Sequence, residues 1–355
     1  MTTATDSAII RILVGPTVGP SKTKRDKKML DVDKISEYTG SVKVDLDLFD
    51  SRLSDYLTGD SPLITSIARH LLKSRGKRIR PAFLFLTSRA ADDFTEHAVD
   101  ASLSIELIHT ATLLHDDVVD ESEMRRGQDT VNAQWTNLIS VLMGDYLFAK
   151  AFRVMVQTES TELMKAIATA TERVSVGELR QIEETSNLDL SEQEYLSIIA
   201  DKTASLFAIS CESGPILNHR SQRERQRFAR FGEKIGTAFQ IADDLLDFVG
   251  DPDITGKSPG NDVMTGKMTL PLIFSLRKAS AGSVREMKRH IGNGTDESSF
   301  EKVHRFVGES GGIDYAYNRA QELSRQGLEA LQPLDSSPYY QSLVDMVTYA
   351  TTRAS

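Results

Sequence analysis

Two short acidic clusters have the residue types and spacing for chemistry in this chain. The first is Asp116, Asp117 and Asp120, at the end of an apolar run containing Leu103, Ile105, Leu107, Ile108, Leu113 and Leu114. Helix residues four apart stand one turn above each other, so Asp116 and Asp120 share a face, with Asp117 about 100° further round. Three carboxylates this close repel one another and shift their own ionisation unless cations neutralise them. An oxygen-only ligand set with room for water and phosphate suits Mg²⁺. Alone, the pattern also fits a solvated acidic helix end. The apolar residues ahead of it argue otherwise, because they set the acids at the mouth of a core. The second cluster repeats the first: Asp243, Asp244 and Asp247 follow Gln240 on another apolar helix, all on one side. Two triads facing each other across a bundle can share cations that bind a diphosphate and assist its departure.

Cationic residues stand where an anion would need them. Arg125 and Arg126 come just after the first triad, and guanidinium forks suit diphosphate oxygens. Gly76-Lys-Arg-Ile-Arg-Pro81 sets Lys77 and Arg80 beside a glycine ahead of an apolar helix, which favours an anion site in a net-acidic chain. His109 lies seven residues before Asp116, about 10 Å lower on nearly the same helix face. Lys202-Thr203 sits among apolar residues, where a lysine needs an anionic partner or loses its proton. The loop from Thr255 to Lys267 carries Lys257, Asp262 and Lys267 between glycines.

The elements that must position these groups read as helices. Long stretches carry helical rather than alternating apolar spacing, and Gly and Pro are sparse in the middle. Helices are expected over 46–57, 62–72, 138–156, 163–184, 195–213 and 221–248. Asp93 with Glu96, and Ser191 with Glu194, are spaced as capping boxes, the first opening the helix that reaches Asp120. The chain has 355 residues, a formal charge of −9 and one cysteine, Cys211. That balance argues against a general nucleic-acid binder, and one cysteine excludes an intramolecular disulfide framework. No apolar run is long enough to cross a bilayer. Residues 1–41 read as a flexible tail and 42–355 as one globular unit.

With both triads, the Gly76–Pro81 element, Lys202-Thr203 and the 255–267 loop in this order, residues 42–355 resemble the trans-prenyl diphosphate synthases of the polyprenyl synthetase family, most of all its long-chain octaprenyl and solanesyl members. Two positions depart from the family pattern: Arg75 stands where a glycine is usual, and Thr265 where an acid precedes Gly266. The resemblance implies an all-α, isoprenoid-synthase-type bundle around a deep central cavity, homodimeric or in a heteromer. The expected location is the cytoplasm, or a mitochondrion or plastid in a eukaryotic host, with peripheral membrane contact on product release. It implies Mg²⁺ at Asp116, Asp120 and Asp243, supported by Asp117, Asp244 and Asp247. Lys77, Arg80, His109 and Arg126 would hold isopentenyl diphosphate. Arg125, Lys202, Lys257 and Lys267 would hold the allylic diphosphate, while Thr203 and Gln240 temper the allylic cation. Short-chain relatives close the path of the growing tail with an aromatic residue just before the first triad. Here Ala111 and Thr112 are small, which points to a hexaprenyl-to-decaprenyl product. The rivals are a short-chain farnesyl or geranylgeranyl synthase, a terpene cyclase, and a non-catalytic subunit of a heteromeric synthase.

Overall fold

Helix starts in this chain are marked by hydroxyls. Thr130, Thr136, Ser160, Ser191 and Ser280 each accept the backbone N–H three residues on, satisfying a donor that a helix N-terminus leaves bare. At Ser191 the Glu194 side chain returns the bond, so that capping box is complete. The one expected at Asp93 is not the start: the helix opens at Glu96 behind Thr95, whose side chain makes no cap bond.

The computed structural model describes residues 35–59, 61–73, 76–91, 95–249, 260–291, 297–332, 334 and 337–351. Residues 1–34, Arg75, Asp93, Gly250 and Lys257 lie outside that set. The described helices are α1 (Lys43–Leu57), α2 (Pro62–Lys73), α3 (Ile79–Ala91), α4 (Glu96–Val119), α5 (Val131–Gln134), α6 (Asn137–Gln157), α7 (Thr161–Glu183), α8 (Glu192–Ile199), α9 (Ser205–Leu217), α10 (Gln222–Val249), α11 (Asn261–Met264), α12 (Leu270–Lys278), α13 (Ala281–Met287), α14 (Glu297–Ser310), α15 (Gly312–Ala330) and α16 (Pro338–Thr351). Among these residues the only strands are β1 (Met124–Arg125) and β2 (Gln128–Asp129), paired antiparallel. The protein is an all-α bundle. No described helix is long and apolar enough to cross a membrane.

The apolar α9 packs on α3, α4, α7 and α10. Phe83, Phe207 and Phe231, from α3, α9 and α10, meet edge to face at centroid distances of 6.0 and 5.8 Å in the larger core. A second core joins α8, the C-terminal half of α10, α12, α14 and α15. The 28 residues of α10 span about 42 Å and belong to both cores, so its acidic end is held from two sides.

One expected element is divided. The single helix expected over 195–213 is α8, then a π-helical turn at Ala200–Ala204, then α9. The neighbouring α7 accounts for this. A side chain at Gly177 would overlap the backbone of Lys202, so the two segments touch main chain to main chain. Arg173 and Arg180 of α7 both reach Asp201, at 2.8 and 3.5 Å. The wider turn thus sits where α7 grips it, and it carries Lys202 and Thr203.

Candidate active site

The end of α4, the π-helical turn, the end of α10 and the segment Asn261–Thr269 bring polar residues to one cleft of about 440 Å³, which the β1–β2 hairpin and the end of α7 also line. Asp116 and Asp120 line it from one side, and Asp243, Asp244 and Asp247 from another, with Gln240, Lys202 and Lys267 between them. Lys202 is held 2.6 Å from Glu178 of α7. Lys267 reaches both oxygens of Asp120 at 3.3 Å. Asp247 accepts the backbone N–H groups of Asn261 and Asp262, each at 3.0 Å, which ties the second triad to the loop that follows it. On the same helix, Gln240 donates to Asp244 at 2.8 Å and accepts the hydroxyl of Thr203 at 2.7 Å.

Acids outnumber cations in the cleft. Burial, then Glu178, raises the Asp116 carboxyl to about 7, although Lys202 opposes the change. Burial and the charge of Asp262 raise Asp244 to about 8 and Asp247 to about 7. Burial acts to lower Lys267, but Asp120 and Asp262 outweigh it and hold the ammonium above its ordinary value. Acids that resist ionising for want of positive charge are the donor set a divalent cation would satisfy, and their all-oxygen character suits Mg²⁺. Among the described residues no three acids enclose a single ion by themselves. Mg²⁺ keeps several waters and is completed by phosphate oxygens in such sites, so the donor set fits it.

An unfolded Asp releases its proton near pH 4, whereas these three hold theirs to about 7 or 8 when folded. The folded state therefore binds more protons across that window, and stability falls as pH rises through it. Melting in EDTA is expected at lower temperature at pH 8 than at pH 6, with Mg²⁺ and inorganic pyrophosphate restoring most of the loss. A Tm in EDTA that does not fall between those values would mean the acids ionise freely.

A smaller cavity, of about 100 Å³, adjoins the cleft, and Arg125 and Arg126 line both. His109 and Arg78 face it as well. Burial, then Arg80, Arg126, Arg125 and Arg78, push the His109 imidazole well below its ordinary value, so it is neutral among four guanidinium groups. Arg80 lies deep, with part of its surface still accessible. Its guanidinium is 4.8 Å from the Phe207 ring centroid, and its Nε has no hydrogen-bond partner. Burial lowers it to about 10, with Glu106 opposing and Arg126 adding to the effect. A guanidinium left in that state favours an anionic ligand. Arg78 is otherwise engaged, by Asp50 at 2.9 Å and Glu106 at 3.1 Å.

The hairpin that presents the two arginines was absent from the sequence reading. Arg126 and Gly127 occupy its turn with φ of 54° and 76°, the pair of positive values that a type I′ turn requires. Arg126 then lies against Gly76, where a Cβ would come within 2.9 Å of its guanidinium. The glycine of the basic element thus makes room for the arginine of the other.

Some sequence-predicted residues stand apart from the cleft. Asp117 is buried on another face of α4, facing the smaller cavity, and accepts from Arg125 at 2.8 Å. Lys77 is exposed, its ammonium 5.1 Å from the Tyr349 ring centroid on α16. Ala111 is fully buried on the side of α4 that meets α6, between Ser104, which donates to Ala151 O, and Leu114, whose carbonyl accepts from Ser140. Thr112 turns its hydroxyl back to His109 O at 2.8 Å. His115 packs on Gly144 with Nε2 3.2 Å from Val141 O. Glu178 was missed. Its signal was Gly177, a glycine inside a helix, which costs stability and marks a close approach. Tyr195 was missed as well: its hydroxyl is 2.6 Å from Asp244.

The polyprenyl synthetase family model matches residues 61–307. The chain is 37% identical to an all-trans-nonaprenyl-diphosphate synthase (geranyl-diphosphate specific) of Rhodobacter capsulatus, over 91% of this chain and 99% of that one. It is 33% identical to an octaprenyl diphosphate synthase of Haemophilus influenzae, over 92% and 99% respectively. Among solved structures, the polyprenyl synthase of Caulobacter crescentus complexed with calcium and isoprenyl diphosphate superposes with a TM-score of 0.86 at 32% identity, covering 91% of this chain and 98% of that one.

Proposed function

This chain belongs to the polyprenyl synthetase family, and on that premise we propose that it extends an allylic diphosphate with isopentenyl diphosphate units to a long-chain all-trans polyprenyl diphosphate. The observation that carries the reading is the meeting of Asp116 and Asp120 with the second triad, Lys202 and Lys267 in one cleft, beside the arginine-lined cavity that holds His109. One cleft takes the allylic diphosphate and the adjoining cavity the second diphosphate. Arg125 and Arg126 stand between them.

Asp116, Asp120 and Asp243 are the proposed Mg²⁺ ligands, with Asp117, Asp244 and Asp247 in support. When bound, Mg²⁺ neutralises the allylic diphosphate and eases its departure. Lys202, Lys267 and Arg125 receive the charge of the leaving pyrophosphate, aided by Lys257, which lies outside the described residues. Thr203 and Gln240, joined by their hydrogen bond, set oxygen dipoles beside the allylic cation. Lys77, Arg80, His109 and Arg126 fix isopentenyl diphosphate for attack through its double bond. Proton loss then leaves a chain one isoprene unit longer. Excluding water preserves the cation until it is trapped.

Incubation of the purified protein with an allylic diphosphate, isopentenyl diphosphate and Mg²⁺, followed by reversed-phase chromatography, tests this. Products between hexaprenyl and decaprenyl are expected. Products ending at geranylgeranyl would favour the short-chain reading, and turnover without isopentenyl diphosphate would indicate a cyclase. For the tail's path we propose the small-residue strip at Ala111 and Thr112. An aromatic ring there would floor the path without touching the diphosphate chemistry, so Ala111→Phe is expected to give shorter products. Overpacking the α4–α6 seam costs about 1–3 kcal/mol, so the melting temperature is measured alongside. An unchanged product distribution would show that Ala111 is not the gate.

Leu138, Leu142, Phe152 and Val156 of α6, and Leu179 and Ile182 of α7, are exposed. An apolar surface of that kind supports a homodimer through these helices.

A further inference from the structure

Asp244 of the second triad is bonded by two side chains. Tyr195 donates to its Oδ2 at 2.6 Å, and Gln240 Nε2 donates to its Oδ1 at 2.8 Å. With a divalent cation in the cleft the Asp244 carboxylate is ionised and only accepts, so Gln240 turns its amide nitrogen towards it. The Gln240 oxygen then faces Thr203, whose hydroxyl must donate to it, as its 2.7 Å contact requires. The direction of every bond in the row is thus set from the carboxylate outwards. With its proton committed, Thr203 keeps its lone pairs for whatever electron-poor group comes beside it.

Tyr195 anchors this row from the side away from Thr203. The Ser191–Glu194 capping box fixes the first turn of α8, and Tyr195 follows at once, its ring in the second apolar core. A buried tyrosine needs a partner for its hydroxyl, and a backbone carbonyl would serve packing equally well. This one selects a carboxylate that lines the cleft. Without it, Asp244 loses the bond that fixes its Oδ2, and Gln240 loses a fixed acceptor.

We propose that Tyr195 is a positioning residue of the second triad: its hydroxyl holds Asp244 in place and, through Gln240, orients Thr203 towards the allylic group. The proposal rests on the prenyltransferase reading above. It is not a metal-ligand assignment, since Tyr195 acts only through Asp244.

The test uses Tyr195→Phe, Asp244→Asn and the double variant, with an unreactive allylic thiolodiphosphate as probe. Calorimetry reads its Mg²⁺-dependent binding, and steady-state assays read kcat and the KM for isopentenyl diphosphate. Tyr195→Phe is expected to weaken probe binding and lower kcat by roughly tenfold, the scale of a hydrogen bond to a charged group. KM for isopentenyl diphosphate should stay within about twofold, since its proposed site lies across α4 and makes no bond to this row. The double variant should be no worse than Asp244→Asn alone, because both act through one carboxylate. Additive losses in the double variant, or unchanged probe binding in Tyr195→Phe, would overturn the proposal. Failure of the wild-type protein to bind the probe with Mg²⁺ would instead strike at the functional reading itself.

Discussion

Asp116→Ala and Asp243→Ala are each expected to abolish turnover, by roughly a thousandfold, the upper range for losing one electrostatic group aimed at developing charge. The two residues belong to different helices and line the same cleft, so each removes one side of a shared cation site. The fold should survive both. Asp243 is exposed at the end of α10. Asp116 is mostly buried and held at about 7 by burial and by Glu178, so its carboxylate is a burden on the metal-free protein at neutral pH. Its removal is therefore expected to leave the melting temperature in EDTA unchanged or higher, while turnover is lost. An Asp116→Ala enzyme that stays active with unchanged Mg²⁺ dependence would refute the metal assignment. Asp117→Ala makes a useful contrast. Its partner is Arg125, so its loss should act by releasing a guanidinium and cost less than the loss of Asp116.

The next largest effect expected is a split between substrates. Lys77→Ala, Arg80→Ala and His109→Ala should raise the KM for isopentenyl diphosphate, and Lys202→Ala should impair use of the allylic diphosphate. Bonds between a cation and a phosphate oxygen are worth about 1.5–3 kcal/mol, or tenfold to a hundredfold. Arg80 should show the largest change of the first group. It lies deep with an unpaired Nε, so a bound anion meets a guanidinium with little water to displace. His109 is held neutral, so it offers an ordinary hydrogen bond and the smallest change. Lys202 stands beside Glu178 in the acid-lined cleft, on the proposed allylic side. Steady-state kinetics with each substrate varied in turn reads the difference. Equal effects of all four substitutions on both substrates would mean that the two diphosphate sites have been exchanged or merged.

Much of this molecule was legible in its linear order. The helices follow from apolar spacing and from hydroxyl caps, both of which act within a few residues, so their existence is a local matter. Both acidic triads were equally plain, because residues four apart on a helix share a face wherever that helix goes. The resemblance to prenyl diphosphate synthases rested on such local motifs, and the comparisons bear out the family and the all-α architecture.

What the sequence could not decide was which local faces meet. The turn of the Arg126–Gly127 hairpin is too short for a periodicity signal, and its register against Gly76 depends on two segments fifty residues apart. The π-helical turn bearing Lys202 and Thr203 reads as ordinary helix in sequence. It exists because α7 presses Gly177 against it and pulls Asp201 with two arginines. Asp117 was placed about 100° round α4 from Asp116, but only the packing shows that this turns it to the arginine side of the helix. Tyr195 carried no signal at all, because a tyrosine in an apolar run reads as core until the carboxylate opposite its hydroxyl is known. Residue types and periodicity thus determined the helices, the acidic triads and the chemistry they point to. The pairing of the triads, the partition of the cations between two cavities and the hydrogen-bonded row from Tyr195 to Thr203 were decided by tertiary packing alone, since each depends on contacts between residues distant in the chain.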